Sequence, residues 1–209
     1  SKMDHVQGMA ASITANQTKL DVLINNAGVF RAPTPVTRDG LDVRFAVNAI
    51  APYLLTQELL PLLGPSGRVI NLSSAAQAPV DLKALAGRER LSQGGAYAQS
   101  KLALTMWSRL MGLDLKGKGP AVIAVNPASF LGSKMVKEAY GVAGKDLGIG
   151  AEVLCKAALA DEFADASGQY FDNDAGRFAP PHPDALDPHK CKEVTQTIET
   201  ILSQIGAKG

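Results

Sequence analysis

The sequence predicts an α/β protein in which a doubly wound parallel β-sheet carries helices on both faces. Short apolar runs rich in β-branched residues alternate with longer segments of helical periodicity, which is typical of a parallel sheet. Small and polar residues ("NNAG", "SSAAQ" and "NPASFLGSKM") follow the first three apolar runs directly, where such sheets bind ligands. The chain has 209 residues, enough for one substantial core and short for two. We therefore expect residues 1–209 to form a single domain.

The predicted strands are short and apolar, as expected for strands buried on both faces. They are "LDVLINN" (20–26), "GRVINLS" (67–73), "PAVIAVN" (120–126) and, with a less regular pattern, "GQYFDN" (168–173). The predicted helices have apolar residues at helical spacing and span roughly 2–18, 39–63, 95–117, 148–162 and 187–205. We expect the proline-rich residues 174–188 to form an ordered surface loop.

Composition and charge exclude several classes of function. The formal charge is +1, from 21 basic and 20 acidic residues, so no nucleic-acid-binding surface is indicated. No apolar run reaches the length of a membrane-spanning helix, and "SKMDHVQGMAASI" lacks the apolar core of a signal peptide. Cys155 and Cys191 are isolated and lack metal-ligand spacing. We expect two free thiols, no metal site, no membrane span and a cytoplasmic location.

Tyr97 and Lys101 are four positions apart at the start of the predicted helix 95–117. Residues at this spacing share a helix face, so the phenol and the ammonium can point into the same space. A neighbouring cation favours the phenolate and would lower the pKa of the phenol from its usual value of about 10. The spacing is also common, and by itself it is compatible with a surface pair as well as with a tuned acid and its tuner.

Asn48 lies in the predicted helix 39–63, four residues before Pro52. Proline has no N–H and crowds the carbonyl of residue i−4. We therefore expect the helix to kink and to leave the Asn48 carbonyl free to bind water. Such a kink is compatible with a plain bend or, beside an active site, with a proton relay.

Five short motifs occur in a fixed order: "NNAG" (25–28), "VNAIAP" (47–52), "INLSS" (70–74), "YAQSK" (97–101) and "VNPAS" (125–129). With them, the chain resembles the short-chain dehydrogenase/reductase family over most of its length. The resemblance implies a Rossmann-type sheet, an NAD(P)-dependent oxidoreductase, and a homodimer or homotetramer formed through the helices 39–63 and 95–117. The segments "AAQAPVDLKALAGRERLSQGG" and "GQYFDNDAGRFA" resemble the retinol-dehydrogenase-like and related bacterial branches. The first of them would place an extra loop, or lid, beside the active site.

The resemblance further implies a catalytic tetrad of Asn48, Ser74, Tyr97 and Lys101. Tyr97 would exchange a proton with the substrate hydroxyl while a hydride moves between nicotinamide and the carbonyl carbon. Lys101 would lower the pKa of Tyr97 and bind the nicotinamide ribose. Ser74 would hold the substrate oxygen, and Asn48 would hold a relay water. Because consecutive strand residues face opposite ways, only one of Ser73 and Ser74 can reach the substrate, and the family pattern selects Ser74.

The implied cofactor is NADP or NAD, and the implied substrate is a small, apolar alcohol or carbonyl compound. The predicted cofactor contacts are Asn26, Ala27 and Gly28 on the adenosine side and Tyr97, Lys101, Pro127 and Ser133 on the nicotinamide side. The chain departs from the family pattern at Ala128, where glycine is usual, and at Ser133, which lies one position later than the usual hydroxyl residue.

The glycine-rich turn that holds the pyrophosphate in this family, Gly-x-x-x-Gly-x-Gly after an early strand, does not occur in the 209 residues. We expect the chain to be part of a longer enzyme that supplies this turn within roughly 60 preceding residues. The alternative is a short natural product, which would bind dinucleotides weakly and show little catalysis. The intact mass of the native protein separates the two.

Other functions remain compatible with parts of the pattern. A non-catalytic dinucleotide-sensing or scaffold protein could use the same fold, since fold does not fix function. A serine hydrolase is disfavoured because the three histidines, His5, His182 and His189, lie near the ends of the chain. The sequence also lacks a Gly-x-Ser-x-Gly elbow.

Overall fold

The computed structural model describes residues 2–207, and its five strands form a single sheet. The strands follow one another across the sheet as β1 Leu20–Asn25, β2 Leu63–Leu72, β3 Ala121–Asn126, β4 Tyr170–Asp172 and β5 Arg177–Phe178. β1 to β4 are parallel, and β5 returns antiparallel to β4. β1 lies at one edge of the sheet, and its Ile24 is 41% exposed.

The helices in chain order are α1 Met3–Asn16, α2 Val43–Phe45, α3 Ala51–Leu59, α4 Leu82–Leu85, α5 Gln93–Leu115, α6 Lys134–Tyr140, α7 Leu147–Leu159 and α8 Pro188–Gly206. A π-helical turn, Ala46–Ile50, joins α2 to α3. Short 3₁₀ turns lie at Leu60–Leu62, Asp161–Phe163 and Pro183–Leu186. No helix within residues 2–207 is long and apolar enough to cross a bilayer.

Successive residues of the central strands face two separate apolar cores. Val69 and Val122 belong to the larger core, to which α3, α5 and α8 contribute. Ile70 and Ile123 belong to the smaller core, which α7 covers. Helices therefore lie on both faces of the sheet, and the predicted doubly wound, Rossmann-type class is confirmed.

The four predicted strands are all present, but the C-terminal part of the chain has more structure than predicted. Residues 174–188, predicted as a surface loop, contain β5 and a 3₁₀ turn. β5 is only two residues long, and its Phe178 ring packs against Phe163 and Phe171 with centroid distances of 5.0 and 5.1 Å. Tertiary packing of these rings thus stabilises a strand too short to show a sequence pattern.

Part of the segment between Ser74 and Tyr97, which was predicted to form a lid, belongs to the core. It forms α4, whose Ala84 and Leu85 are 1% and 0% exposed. The backbone N–H of Asp81 just before α4 donates to Gln99 Oε1 of α5 at 2.9 Å. α4 and the residue before it are therefore held between α5 and α8.

The irregularity predicted around Asn48 and Pro52 is a π-helical turn. The N–H of Ala51 donates to the carbonyl of Ala46, five residues earlier, so the turn contains one extra residue. Pro52 follows directly and has no N–H to continue the regular pattern. Asn48 lies within this widened turn and is 1% exposed.

α8 packs on helices that were predicted to form a dimer face. Its Val194, Ile198 and Ile201 are buried in the same core as Trp107 of α5. The Tyr53 hydroxyl of α3 donates to Glu199 of α8 at 2.6 Å. The chain therefore covers part of the α3 and α5 surface itself, and the homodimer stays a prediction.

Candidate active site

The carboxyl ends of β1 and β2 are joined by a chain of side-chain amides. Asn25 Nδ2 donates to Asn71 Oδ1 at 2.7 Å and to Thr56 Oγ1 of α3 at 3.1 Å. Asn71 Nδ2 donates in turn to Ser108 Oγ of α5 at 2.8 Å. This chain ties both strand ends to the helices that carry the candidate residues. This chain of amides was not predicted, although an asparagine at the end of an apolar strand is a usable signal in the sequence.

Asn48 fixes the segment after β1 against α5. Its Oδ1 accepts from the Val29 N–H at 2.8 Å, and its Nδ2 donates to the Val29 carbonyl at 3.0 Å. The same Nδ2 donates to Ser100 Oγ at 2.9 Å, and Ser100 Oγ donates to the Tyr97 carbonyl at 2.7 Å. Ser100 thus links two predicted tetrad residues, a role that sequence reasoning missed.

Tyr97 and Lys101 lie next to each other on α5, as their spacing predicts. Lys101 Nζ is 5.9 Å from the centroid of the Tyr97 ring, within reach of a cation–π contact. The half-buried Tyr97 ring packs edge-on against Phe30, with a centroid distance of 4.9 Å. The phenol is therefore held between an aromatic wall and a cation.

Lys101 is an unusual lysine because it is 5% exposed. Its Nζ donates to the Leu72 carbonyl at the end of β2 at 2.6 Å. Burial disfavours the charged form and lowers the pKa of Lys101 to about 8. The ammonium is still mostly charged at neutral pH, but it is poorly solvated, and such groups cluster at functional sites.

The two serines after β2 have different surroundings. Ser73 is 4% exposed, and its Oγ lies 2.6 Å from Thr105 Oγ1 inside α5. Ser74 is half-buried, and its Oγ accepts from the Ala76 N–H at 3.1 Å, which leaves its hydroxyl hydrogen available. The buried environment suits a structural role for Ser73, and Ser74 has the more accessible hydroxyl.

Three side chains from different elements converge beside Gly28. Asn48 Oδ1 lies 3.6 Å, and both Lys101 Nζ and Met135 Cε lie 3.7 Å, from the position that a Cβ on Gly28 would take. A cation and an amide oxygen therefore face one point next to the half-buried backbone of Gly28. This donor and acceptor set fits the hydroxyls of a ribose, as a bound dinucleotide would present them.

The remaining predicted cofactor contacts lie at the same edge of the sheet. Asn26 and Ala27 are exposed directly after β1. The Pro127 carbonyl after β3 accepts from Asn173 Nδ2 at 2.9 Å. Ser133 caps α6, accepting from the Val136 N–H at 3.3 Å, and its hydroxyl hydrogen can still be donated.

The loop after β3 has a strained backbone. Ala128, which stands where the family usually has glycine, has φ 134°, and Phe130 has φ 57°. Residues other than glycine rarely adopt positive φ. Such conformations persist where the surroundings impose them, often at functional sites. The glycine-like conformation is thus retained although the glycine is not.

The comparisons with known proteins agree with this geometry. The model of the family described as short chain dehydrogenase matches residues 1–143. Human retinol dehydrogenase 13 is 33% identical over 191 residues, covering 82% of this chain and 58% of that protein. The chain therefore spans little more than half the length of this relative.

Solved structures show the same fold. An uncharacterized protein from Mycobacterium paratuberculosis superimposes with a TM-score of 0.74 and 25% identity, over 95% of this chain and 71% of that one. The NADPH-bound carbonyl reductase from chicken fatty liver gives a TM-score of 0.60 and 26% identity, over 86% and 73% of the two chains. With a family model that covers well over half of its residues, the chain belongs to the short-chain dehydrogenase family.

Proposed function

We propose that this protein is an NAD(P)-dependent oxidoreductase that interconverts an alcohol and a carbonyl compound, with Tyr97 as proton donor and acceptor. The observation that carries the proposal is the buried Lys101 ammonium beside the Tyr97 ring, with Nζ 5.9 Å from the ring centroid. A poorly solvated cation lowers the stability of the fold. A role in assisting the neighbouring acid, Tyr97, explains why a lysine occupies this position.

Tyr97 and Lys101 divide the proton chemistry between them. When bound, the nicotinamide supplies a hydride for reduction or accepts one for oxidation. In reduction, the Tyr97 hydroxyl gives its proton to the carbonyl oxygen, and the product is the alcohol. The Lys101 ammonium stabilises the phenolate that remains on Tyr97. In the oxidising direction the same phenolate takes the proton back.

Ser74 and Asn48 have supporting roles in this proposal. The half-buried Ser74 hydroxyl would donate to the substrate oxygen and keep it within reach of Tyr97. The Asn48 amide, bonded to Val29 and Ser100, holds the segment that carries Gly28 against the first turns of α5. The predicted relay water at the Asn48 carbonyl stays part of the proposal.

The proposed cofactor is NADP or NAD. Lys101 would hold the nicotinamide ribose, with Pro127 and Ser133 near the nicotinamide. Asn26, Ala27 and Gly28 would line the adenosine side, and Gly28 also lies beside Lys101. NADPH in the structure of the similar chicken carbonyl reductase supports this choice of cofactor.

The similarity to retinol dehydrogenase 13 supports an apolar alcohol or carbonyl compound as the substrate. The cytoplasmic location and the homodimer or homotetramer remain predictions of the sequence.

The experiment is a reductase assay on the native protein with NADPH and NADH, using all-trans-retinal and a short aliphatic aldehyde as substrates. Tyr97→Phe should lower kcat by at least about 100-fold, because it removes the general acid. Tyr53→Phe is the matched control, since its hydroxyl bonds to Glu199 between α3 and α8. Unchanged turnover in Tyr97→Phe would refute Tyr97 as the proton donor. Binding of NADPH or NADH by the wild type without turnover of either substrate would instead favour a non-catalytic dinucleotide-binding protein.

A further inference from the structure

Asp174 lies in the turn between β4 and β5 and binds the loop that follows β3. The Ser129 N–H lies 3.0 Å from each oxygen of the Asp174 carboxylate, and the Ser129 hydroxyl donates to Oδ2 at 2.5 Å. Asn126 Nδ2, at the end of β3, donates to Oδ2 at 3.0 Å. A single carboxylate thus holds both the end of the strand and the loop after it.

The turn that carries Asp174 is itself fixed to β3. The Asp174 N–H donates to Asp172 Oδ1 at 3.1 Å, and the same Oδ1 accepts from Asn126 Nδ2 at 2.8 Å. Asn173 Nδ2 donates to the Pro127 carbonyl at 2.9 Å. The last residue of β4 and the first two residues of the turn therefore contact the end of β3 and the start of its loop.

The loop continues into a flap, residues 130–146, which contains α6. Two backbone hydrogen bonds of 2.7 Å close the base of this flap, from the Lys145 N–H to the Phe130 carbonyl and from the Gly132 N–H to the Lys145 carbonyl. Lys145 Nζ lies 3.5 Å from Asp174 Oδ1. Asp174 therefore contacts the base of the flap as well as the loop.

The flap reaches the candidate active site through Met135. The Met135 Cε and Lys101 Nζ both lie 3.7 Å from the position of a Cβ on Gly28. A shift of the flap base would move Met135 relative to both Gly28 and Lys101. The position of the flap thus decides the shape of the site at the point predicted to hold the nicotinamide ribose.

The strained residues explain why the loop needs an external support. Ala128 and Phe130 both have positive φ, and Ser129 lies between them. Such conformations persist only where neighbouring groups impose them. The bonds from Ser129 to Asp174 are charge-assisted, and they act at the centre of the strained segment.

We propose that Asp174 is a positioning residue, which holds the strained loop after β3 and the base of the flap so that Met135 stays beside Gly28 and Lys101. The proposal rests on the proposed function, since it assigns the loop and the flap to the cofactor site. Burial would raise the pKa of Asp174, but hydrogen bonds from Ser129 and Asn126, with the charge of Lys145, lower it to about 2. The support is therefore charged in any practical assay.

The test compares Asp174→Asn and Asp174→Ala with the wild-type native protein, and uses Asp165→Asn as a matched control on an exposed residue before β4. Amide hydrogen exchange over residues 128–133 and 143–146 should become on the order of 10-fold faster in the Asp174 variants, with exchange in β3 and α5 unchanged. The KM for NADPH should rise on the order of 10-fold, whereas the KM for the carbonyl substrate should stay within about 3-fold. The control should match the wild type in both measurements.

Ser129→Ala provides a milder second variant, because it removes only the hydroxyl bond to Asp174, and it should give intermediate exchange rates. Wild-type exchange in all three variants would overturn the proposal. Faster exchange with an unchanged KM for NADPH would overturn the positioning role and leave Asp174 purely structural. A wild-type protein that does not use NADPH or NADH would refute the proposed function, and the positioning role with it.

Discussion

Lys101→Met should make the protein more stable while it removes the proposed activity. Lys101 is 5% exposed, and burial lowers its pKa from the usual 10.5 to about 8. The ammonium is therefore less stable in the folded chain than in the unfolded chain. At 1.36 kcal/mol for each pH unit, this lowering corresponds to about 3 kcal/mol of lost stability at neutral pH.

The net effect of the substitution follows from what methionine keeps and loses. Methionine is an unbranched, apolar side chain that can follow a similar path through the core. It loses the 2.6 Å hydrogen bond from Nζ to the Leu72 carbonyl. This loss offsets about 1 kcal/mol of the stability gained by removing the buried charge. We therefore expect a net stabilisation of about 2 kcal/mol at pH 7. For a chain of 209 residues, this raises Tm by about 4–8 °C.

Thermal denaturation followed by circular dichroism over a pH series is the assay. Between pH 8 and 10.5 the unfolded Lys101 binds more protons than the folded one, so wild-type stability gains a contribution that rises across this range. The advantage of Lys101→Met should be full below about pH 8 and should disappear as the pH approaches 10.5. Above that pH only the lost hydrogen bond to the Leu72 carbonyl distinguishes the two proteins, and the variant should be about 1 kcal/mol less stable than the wild type. Lys116→Met, at an exposed position, should stay within about 0.5 kcal/mol of the wild type. A lower Tm for Lys101→Met at pH 7, or a difference independent of pH, would refute the reasoning.

Three further substitutions separate stability from activity at the same edge of the sheet. Ala128→Gly should stabilise the protein by about 1 kcal/mol, because glycine adopts φ 134° without steric cost, and a lower denaturant midpoint would contradict this. Ser74→Ala should lower kcat on the order of 100-fold at an unchanged midpoint. Ser73→Ala should cost about 1 kcal/mol of stability and keep kcat within about 3-fold, since Ser73 Oγ bonds to Thr105 Oγ1 at 2.6 Å. The reverse result would make Ser73 the catalytic serine.

The sheet could be predicted because each strand is marked by a pattern within its own few residues. β1 and β3 each contain an uninterrupted apolar run, and β3 is buried along its whole length. α5 was predicted within two residues at each end, because apolar residues keep helical spacing from Leu102 to Leu113 and a glycine pair marks its start. α6 was missed because it is only seven residues long and packs as part of a flap rather than on the core.

The site could be predicted only where chain order carries the information. The tetrad candidates follow from motifs whose order along the chain is fixed, and Tyr97 and Lys101 also follow from helix geometry. Asp174 could not be predicted in this way, because its partner Ser129 is 45 residues away. Ser100 escaped for a similar reason, since its link to Asn48 spans 52 residues. Such contacts are created by the fold and leave no spacing in the sequence.

The residues that lower the stability of the fold lie at the same edge of the sheet as the family motifs, and this is independent support for the site. Lys101 is a buried cation at the end of β2, and Ala128 and Phe130 are strained residues just after β3. Each of these features lowers stability, and no packing requirement calls for a lysine at the one position or an alanine at the other. All three features lie at the carboxyl edge of the sheet, with Lys101 Nζ bonded to the end of β2 and the strained residues just after β3, whereas the two apolar cores lie on the faces of the sheet. Local costs that gather at a single edge are expected where function, rather than folding, has selected the residues. The stability gains expected from Lys101→Met and Ala128→Gly therefore test the location of the active site as well as the energetics of each residue.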